Sequence, residues 1–356
     1  MESSAWHPGK LLALSGSYWQ TCTLHGGVKL DIFTTIGEGN FTAGEIAKKI
    51  GAPLRSLSML LDALCAMELL KKEEEKEQED DNIKGERQNK AAKEDQQEKW
   101  RYSNTQVSLT FLSKHSPQYI GFMIMHHHHL VESWSRLDES VMTGKPIRTR
   151  ASFEEEEKRE SFLMGMFNIA MQTAPGLVPT VDLSGRKSLL DLGGGPGTYA
   201  IHFCLHNPEL TAVVFDLPTT RPFAEKTIER FGQQNRITFK DGNFLTDQIK
   251  GKYDAVWISH ILHGDSPSEC EQTIKKAAAA LEPGGMIIVH DFILNNKKDA
   301  PLFPALFSLN MLLATGGGQA YSEQEIMNML KNAGCNNIFR TPYKGPMESG
   351  LVIGTI

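Results

Sequence analysis

The chain has 356 residues, a length for about two domains, and its 40% hydrophobic and 22% charged residues are the balance of a globular protein. A net charge of -6 argues against a general nucleic-acid binder. Five cysteines, odd in number and with no CxxC pair, argue against a disulfide framework or a zinc site and fit a reducing compartment.

The start MESSAWHPGK has no basic-then-apolar leader, and no apolar run reaches the roughly 20 residues of a membrane span, so a cytoplasmic location is expected. Residues 8 to 36 carry apolar positions at a period near 3.6 and predict helix. Thr42 and Glu45 form a capping box for the next helix. Gly51 and Pro53 punctuate, and a second helix follows from about Leu54 to Met67. Helix, turn, helix and a strand pair is a winged-helix pattern. Its second helix carries only Arg55 as a cation, so packing or dimerisation is expected rather than DNA binding.

Residues 71 to 99 are almost wholly charged or polar. They cannot bury enough surface to offset their ordering entropy, which predicts a disordered insertion at the tip of the wing; the alternative is a solvated single helix. Trp100, Tyr102 and Val107 resume structure as the returning strand. Residues 117 to 180 predict helices rich in methionine, and Pro175 and Pro179 interrupt the pattern. A first, helical domain is therefore expected over 1–180 and a second over 181–356.

From Lys187 apolar strands alternate with helical segments: SLLDLG, TAVVFDLP, ITFKDGNF, YDAVWISH and GMIIVHDFIL. This predicts an α/β fold, a doubly wound parallel sheet. The C-terminal FRTPYKGPMESGLVIGTI predicts an antiparallel hairpin that completes it. The first strand ends in Asp191-Leu192-Gly193-Gly194-Gly195-Pro196-Gly197, a loop that a ligand can approach closely. The second strand ends about 20 residues on at Asp216, where a carboxylate can accept both hydroxyls of an adenosine ribose.

A dinucleotide site would need GxGxxG at the N-terminus of a helix that holds a pyrophosphate. Here the spacing is GxGxG, and the acidic Asp191 precedes it, which points instead to S-adenosylmethionine (SAM). A dinucleotide site and a ligand-free glycine turn are the rival readings. Gly242-Asn243-Phe244 follows the third strand, where an adenine could lie against the aromatic ring. Glu282-Pro283-Gly284-Gly285 predicts a tight turn into the fifth strand.

With LLDLGGGPG, VVFDLP, ILH ending at His263, LEPGG and SLNMLL at 308 to 313, the chain resembles the SAM-dependent small-molecule O-methyltransferases. These include plant caffeic acid, bacterial tailoring and acetylserotonin enzymes. The resemblance spans nearly the whole chain except the charged insertion. It implies a SAM domain behind a winged-helix-like dimerisation domain, a homodimer and a small-molecule acceptor. It also implies His263 as catalytic base, Asp291 as its acidic partner, His260 as a SAM contact and Asn310 on the substrate side. Phe167 and Met171 match residues that line the family's acceptor pocket; Trp134 is either core or pocket wall. The chain departs from the family at Gly264, Ala314 and Ala320, where polar partners are lost, and Asn243 replaces an aspartate. An amide oxygen can still accept from an adenine amino group.

Methyl transfer from a sulfonium is an in-line displacement that needs alignment and no metal. A hydroxyl acceptor benefits from a base, and histidine serves near neutral pH. His263 follows the fourth strand and Asp291 ends the fifth, so the two could meet, with Asp291 setting the tautomer. The run His126 to His129 tempts a metal reading, but successive helical side chains radiate and only His126 and His129 share a face. Some of these are expected at the substrate pocket and others in solvent. Phe162, Met166, Phe167 and Met171 have the spacing of ordinary core packing. Two other functions stay open: transfer to nitrogen, sulfur or carbon on the same scaffold, and a non-catalytic regulatory protein.

Overall fold

The computed structural model describes residues 6–74, 99–150 and 155–356. It contains two compact units, Met1–His128 and His129–Ile356. This division lies well before the boundary expected at 180. The helix Glu156–Leu177 explains the difference: Ala170, Ala174 and Leu177 join the core that holds Leu189, Phe203 and Trp257. Composition alone does not reveal which core a helix joins.

In the first unit the stretch expected as one helical run is three helices, Pro8–Gly16, Tyr18–Lys29 and Ile32–Ile36. The break before the third falls at Asp31, whose φ is +56°. The capping box forms as expected: Thr42 Oγ1 accepts from Glu45 N at 3.2 Å, and Thr42 N donates to Glu45 Oε2 at 2.7 Å. The next helix, Leu54–Ala66, buries Leu57, Leu61 and Leu64, spaced i, i+4 and i+7 on one face, against Phe33, Ile46 and Tyr102.

Strands β1 (Phe41–Thr42), β2 (Leu70–Glu74) and β3 (Trp100–Asn104) form an antiparallel sheet in the order β1-β3-β2. Most of the charged insertion, 75–98, lies outside the described residues. Its first residues do not: Lys71 to Glu74 are strand, paired with Trp100 to Ser103. Pairing to a neighbouring strand satisfies their backbone groups while the charges stay in solvent.

The second unit is built on strands β4 (Ser188–Leu192), β5 (Thr211–Asp216), β6 (Ile237–Asp241), β7 (Tyr253–Ser259), β8 (Leu281–Phe292), β9 (Asn336–Arg340) and β10 (Ser349–Thr355). Their order is β6-β5-β4-β7-β8-β10-β9, all running in one direction except β10, which is antiparallel to both its neighbours β8 and β9. The expected C-terminal hairpin is therefore present. Glu282 to Gly285 lie within β8 rather than before it, as a bulge between the pairs Tyr253–Leu281 and Ala255–Met286. Alternate strand residues enter opposite cores: Leu189, Trp257 and Ile288 on one face, Leu190, Ile258 and Val289 on the other. The strand order reverses between β4 and β7, and the crevice at the carboxyl ends there is where such sheets bind ligands.

Candidate active site

On the β4–β6 side a cradle is assembled mostly from main chain. Gly193 has φ +68°, and a Cβ there would sit 2.4 Å from Ile261 Cδ1. A Cβ on Gly194 would sit 2.5 Å from Asp191 Cγ, so the loop can lie flat over the buried carboxyl only as glycine. Asp216 ties the loop to the end of β5. Its Oδ2 accepts from Gly195 N at 2.8 Å and its Oδ1 from Leu217 N at 2.6 Å. Burial pushes the Asp216 carboxyl up, against these backbone donors.

Asp191 is fully enclosed, and burial pushes its carboxyl up to about 7; the Ala200 N–H at 3.3 Å opposes this and Asp216 adds to it. Gly242 is tight against the Phe215 ring, and Phe244 reaches toward Gly193. Asn243 Oδ1 already accepts from Leu245 N at 3.0 Å, and its second lone pair is what an adenine amino group would use. A glycine floor tight at Gly193, Gly194 and Gly242, a strand-end carboxylate and a neighbouring aromatic fit an adenosyl group.

On the β7–β8 side the geometry is made by side chains. His263 sits in the turn Leu262–Gly264 after β7, and its Nδ1 lies 2.7 Å from Asp291 Oδ1 at the end of β8. The expected meeting thus occurs. Asp291 is buried; burial alone would push its carboxyl up, but His263 and His260 beside it hold it well below the usual carboxylate range. His260 has φ +56°, and its Nδ1 is 3.7 Å from the same oxygen. The His260 ring lies 4.5 Å from that of His290, whose imidazole is pushed well below the usual histidine range by burial. Among the described residues, His260, His263 and Asp291 are the one group close enough to share a metal ion; the histidine run is not such a group.

Phe307 lies edge-on to the His263 ring at 4.7 Å and Phe292 stacks on it at 5.8 Å, while Phe303 packs on both phenylalanines to complete the aromatic box. Phe303, Phe307 and Asn310 recur at i, i+4 and i+7 on helix Leu302–Leu312 and so share one face. The reading from sequence missed the two phenylalanines, although their spacing from Asn310 was visible. It also brought out neither Arg148 nor Arg150, for which no local signal exists. Asn310 Oδ1 accepts from Trp134 Nε1 at 3.3 Å and Arg148 Nη2 at 3.1 Å. Both partners can only donate, so the amide oxygen faces them and its NH2 is left as a donor.

Phe167 and Met171 go elsewhere. Phe167 packs 6.4 Å from the Phe231 ring beneath Arg230, and Met171 Sδ meets His202 Nε2 at 3.5 Å. Their contacts are thus with the helices flanking β5 and not with the aromatic box around His263. A period of 3.6 places them on one face but does not say what that face meets.

Comparison with known proteins bears on this site. The O-methyltransferase domain model matches residues 140–336, and the O-methyltransferase dimerisation domain model matches residues 12–114. The 3-hydroxy-5-methyl-1-naphthoate 3-O-methyltransferase of Streptomyces sahachiroi is 31% identical, over 98% of this chain and 95% of its own. An N,N-dimethyltransferase of Streptomyces rimosus is 27% identical over 91% and 89%. Human N-acetylserotonin methyltransferase, solved with SAM, shares the fold with a TM-score of 0.81 at 22% identity, covering 100% of this chain and 99% of its own. The chain belongs to the SAM-dependent O-methyltransferase family. It is an enzyme whose cofactor is SAM, with a doubly wound methyltransferase domain and an N-terminal dimerisation domain. No helix among the described residues is long and apolar enough to cross a membrane.

Proposed function

We propose that this enzyme methylates a hydroxyl of a small aromatic molecule, with His263 as general base. The observation that carries the reading is the 2.7 Å contact between His263 Nδ1 and Asp291 Oδ1. An ionised carboxylate can only accept, so in the neutral imidazole Nδ1 bears the hydrogen and Nε2 has the free lone pair. Nε2 takes the hydroxyl proton as the oxygen becomes nucleophilic, and Asp291 steadies the resulting imidazolium. SAM supplies an activated methyl group, and the proton is the one species left for the protein to manage. Asp191, Gly193, Gly195, Asp216, Gly242, Asn243, Phe244 and His260 would hold the cofactor.

The box of Phe292, Phe303 and Phe307 suits a flat ring, since aromatic faces and edges pack well on one another. Asn310, set by Trp134, would donate its NH2 to an oxygen on the acceptor. The naphthoate in the name of the S. sahachiroi relative agrees with a fused-ring acceptor. A homodimer is supported by the dimerisation-domain match and by exposed Leu11, Leu12, Leu14, Tyr18 and Trp19 on the first two helices. Its winged-helix-like unit serves packing in this reading, and five free cysteines suit the cytoplasm.

The test is calorimetric titration with S-adenosylhomocysteine (SAH), followed by a panel of phenols, naphthols and aryl amines with labelled SAM. The expected result is methylation of a hydroxyl that His263→Ala abolishes. Transfer to an amine that survives His263→Ala would overturn the reading in favour of nitrogen as acceptor, in line with the S. rimosus relative.

A further inference from the structure

The segment 145–150 runs along the C-terminal end of helix Leu302–Leu312. Ile147 N and Arg148 N both donate to Leu313 O, at 2.9 and 3.1 Å. Ser140 Oγ reaches both Lys145 O, at 2.6 Å, and Leu312 O, at 3.3 Å. From this strap two arginines grip different parts of the site. Arg148 Nη2 holds Asn310 through Oδ1 at 3.1 Å and through its backbone carbonyl at 3.4 Å. Arg150 Nη2 donates to Asp265 Oδ1 at 2.7 Å and to the Gly264 carbonyl, the two residues that follow His263.

Asp265 is only 1% exposed, and its own carbonyl accepts from Tyr321 Oη at 2.6 Å. A buried carboxylate of this kind is tolerated because a cation meets it; without one it would draw its turn toward water. Position 264 is glycine, and the carboxylate stands one residue later. A Cβ on Gly264 would lie 3.7 Å from Arg150 Nη1, so an acid at that position would compete with Asp265 for the same guanidinium.

We propose that Arg150 is a positioning residue: its ion pair with Asp265 holds the His263 turn, while Arg148 holds Asn310, so the strap sets base and acceptor-side amide on one frame. The proposal rests on the reading of His263 as base. Arg150 touches no reacting atom and acts through the turn. Both of its bonds come from a single nitrogen, so a lysine ammonium can reproduce them.

The experiment uses the full-length protein saturated with SAH. Proton NMR reads the imidazole N–H that His263 shares with Asp291, assigned by its loss in His263→Gln. In Arg150→Met this signal should shift and broaden, and Arg150→Lys should restore it. On an acceptor found in the panel, Arg150→Met should lower kcat about 100-fold while SAH affinity stays within about twofold. Arg148→Met should raise the acceptor KM and leave the signal in place. An unchanged imidazole signal in Arg150→Met overturns the proposal. So does a joint fall of kcat, SAH affinity and Tm that lysine fails to restore, since that marks a merely structural role. The NMR arm needs no acceptor, so its failure is separate from survival of activity in His263→Ala, which would instead remove the base.

Discussion

On the β4–β6 side of the sheet, the candidate cradle consists of glycine backbone and carboxylates a few residues from the strand ends, with Asp216 bonded directly to the loop at Gly195. On the β7–β8 side, residues 134, 148, 150, 263, 291, 307 and 310 meet from five separate stretches of chain. In the proposed reading the first side holds SAM, the cofactor of the family, and its shape is encoded locally. The second meets whatever acceptor is used, and long-range packing shapes it. Changes on the first side should therefore act on cofactor affinity, and changes on the second on turnover and acceptor choice.

The largest expected effect tests the second side. His263→Ala should lower kcat by about 10²–10⁴-fold, the usual size of a general-base contribution, with SAH affinity kept. Parallel loss of SAH binding by calorimetry would erase the distinction between the two sides. Asp291→Asn should lower kcat by about 100-fold or more, because the amide lets His263 adopt the wrong tautomer. Single-turnover rates with saturating SAM check this, and an unchanged rate would mean that the 2.7 Å contact is only structural.

The first side is tested by Asp216→Ala. Loss of a charged acceptor should weaken SAH binding by about 10–100-fold and leave kcat at saturating SAM near normal. A fall in kcat alone would contradict the assignment.

Smaller still is a stability effect at Asp191, whose carboxyl is raised to about 7 by burial. Between the unfolded value of about 3.9 and the folded value, the folded state binds the extra proton, so this residue's contribution to stability falls as pH rises. Asp191→Asn removes that loss. Relative to wild type, its stability should gain about 2 kcal/mol between pH 5 and 7 in parallel urea titrations. A pH-independent difference would show that the carboxyl is not proton-linked. The smallest expected effect is none at all: chelation by EDTA should leave turnover unchanged, because sulfonium displacement needs no Lewis acid. Loss of activity that zinc restores would give the His260–His263–Asp291 group a role on the second side that we do not assign it.

The amino-acid sequence by itself determined the doubly wound sheet, the glycine loop after its first strand and the Thr42 capping box, and it put His263 and Asp291 at the ends of strands where they could meet. Each of these depends on short-range spacing, or on the rule that neighbouring parallel strands end together. Only the tertiary structure decided that helix Glu156–Leu177 belongs with the sheet and that Phe167 and Met171 face Phe231 and His202. It alone brought Arg148 and Arg150 to Asn310 and Asp265, more than a hundred residues away. Periodicity tells which side of a helix is apolar, but the partner of that side is chosen by packing, which no local window of residues contains.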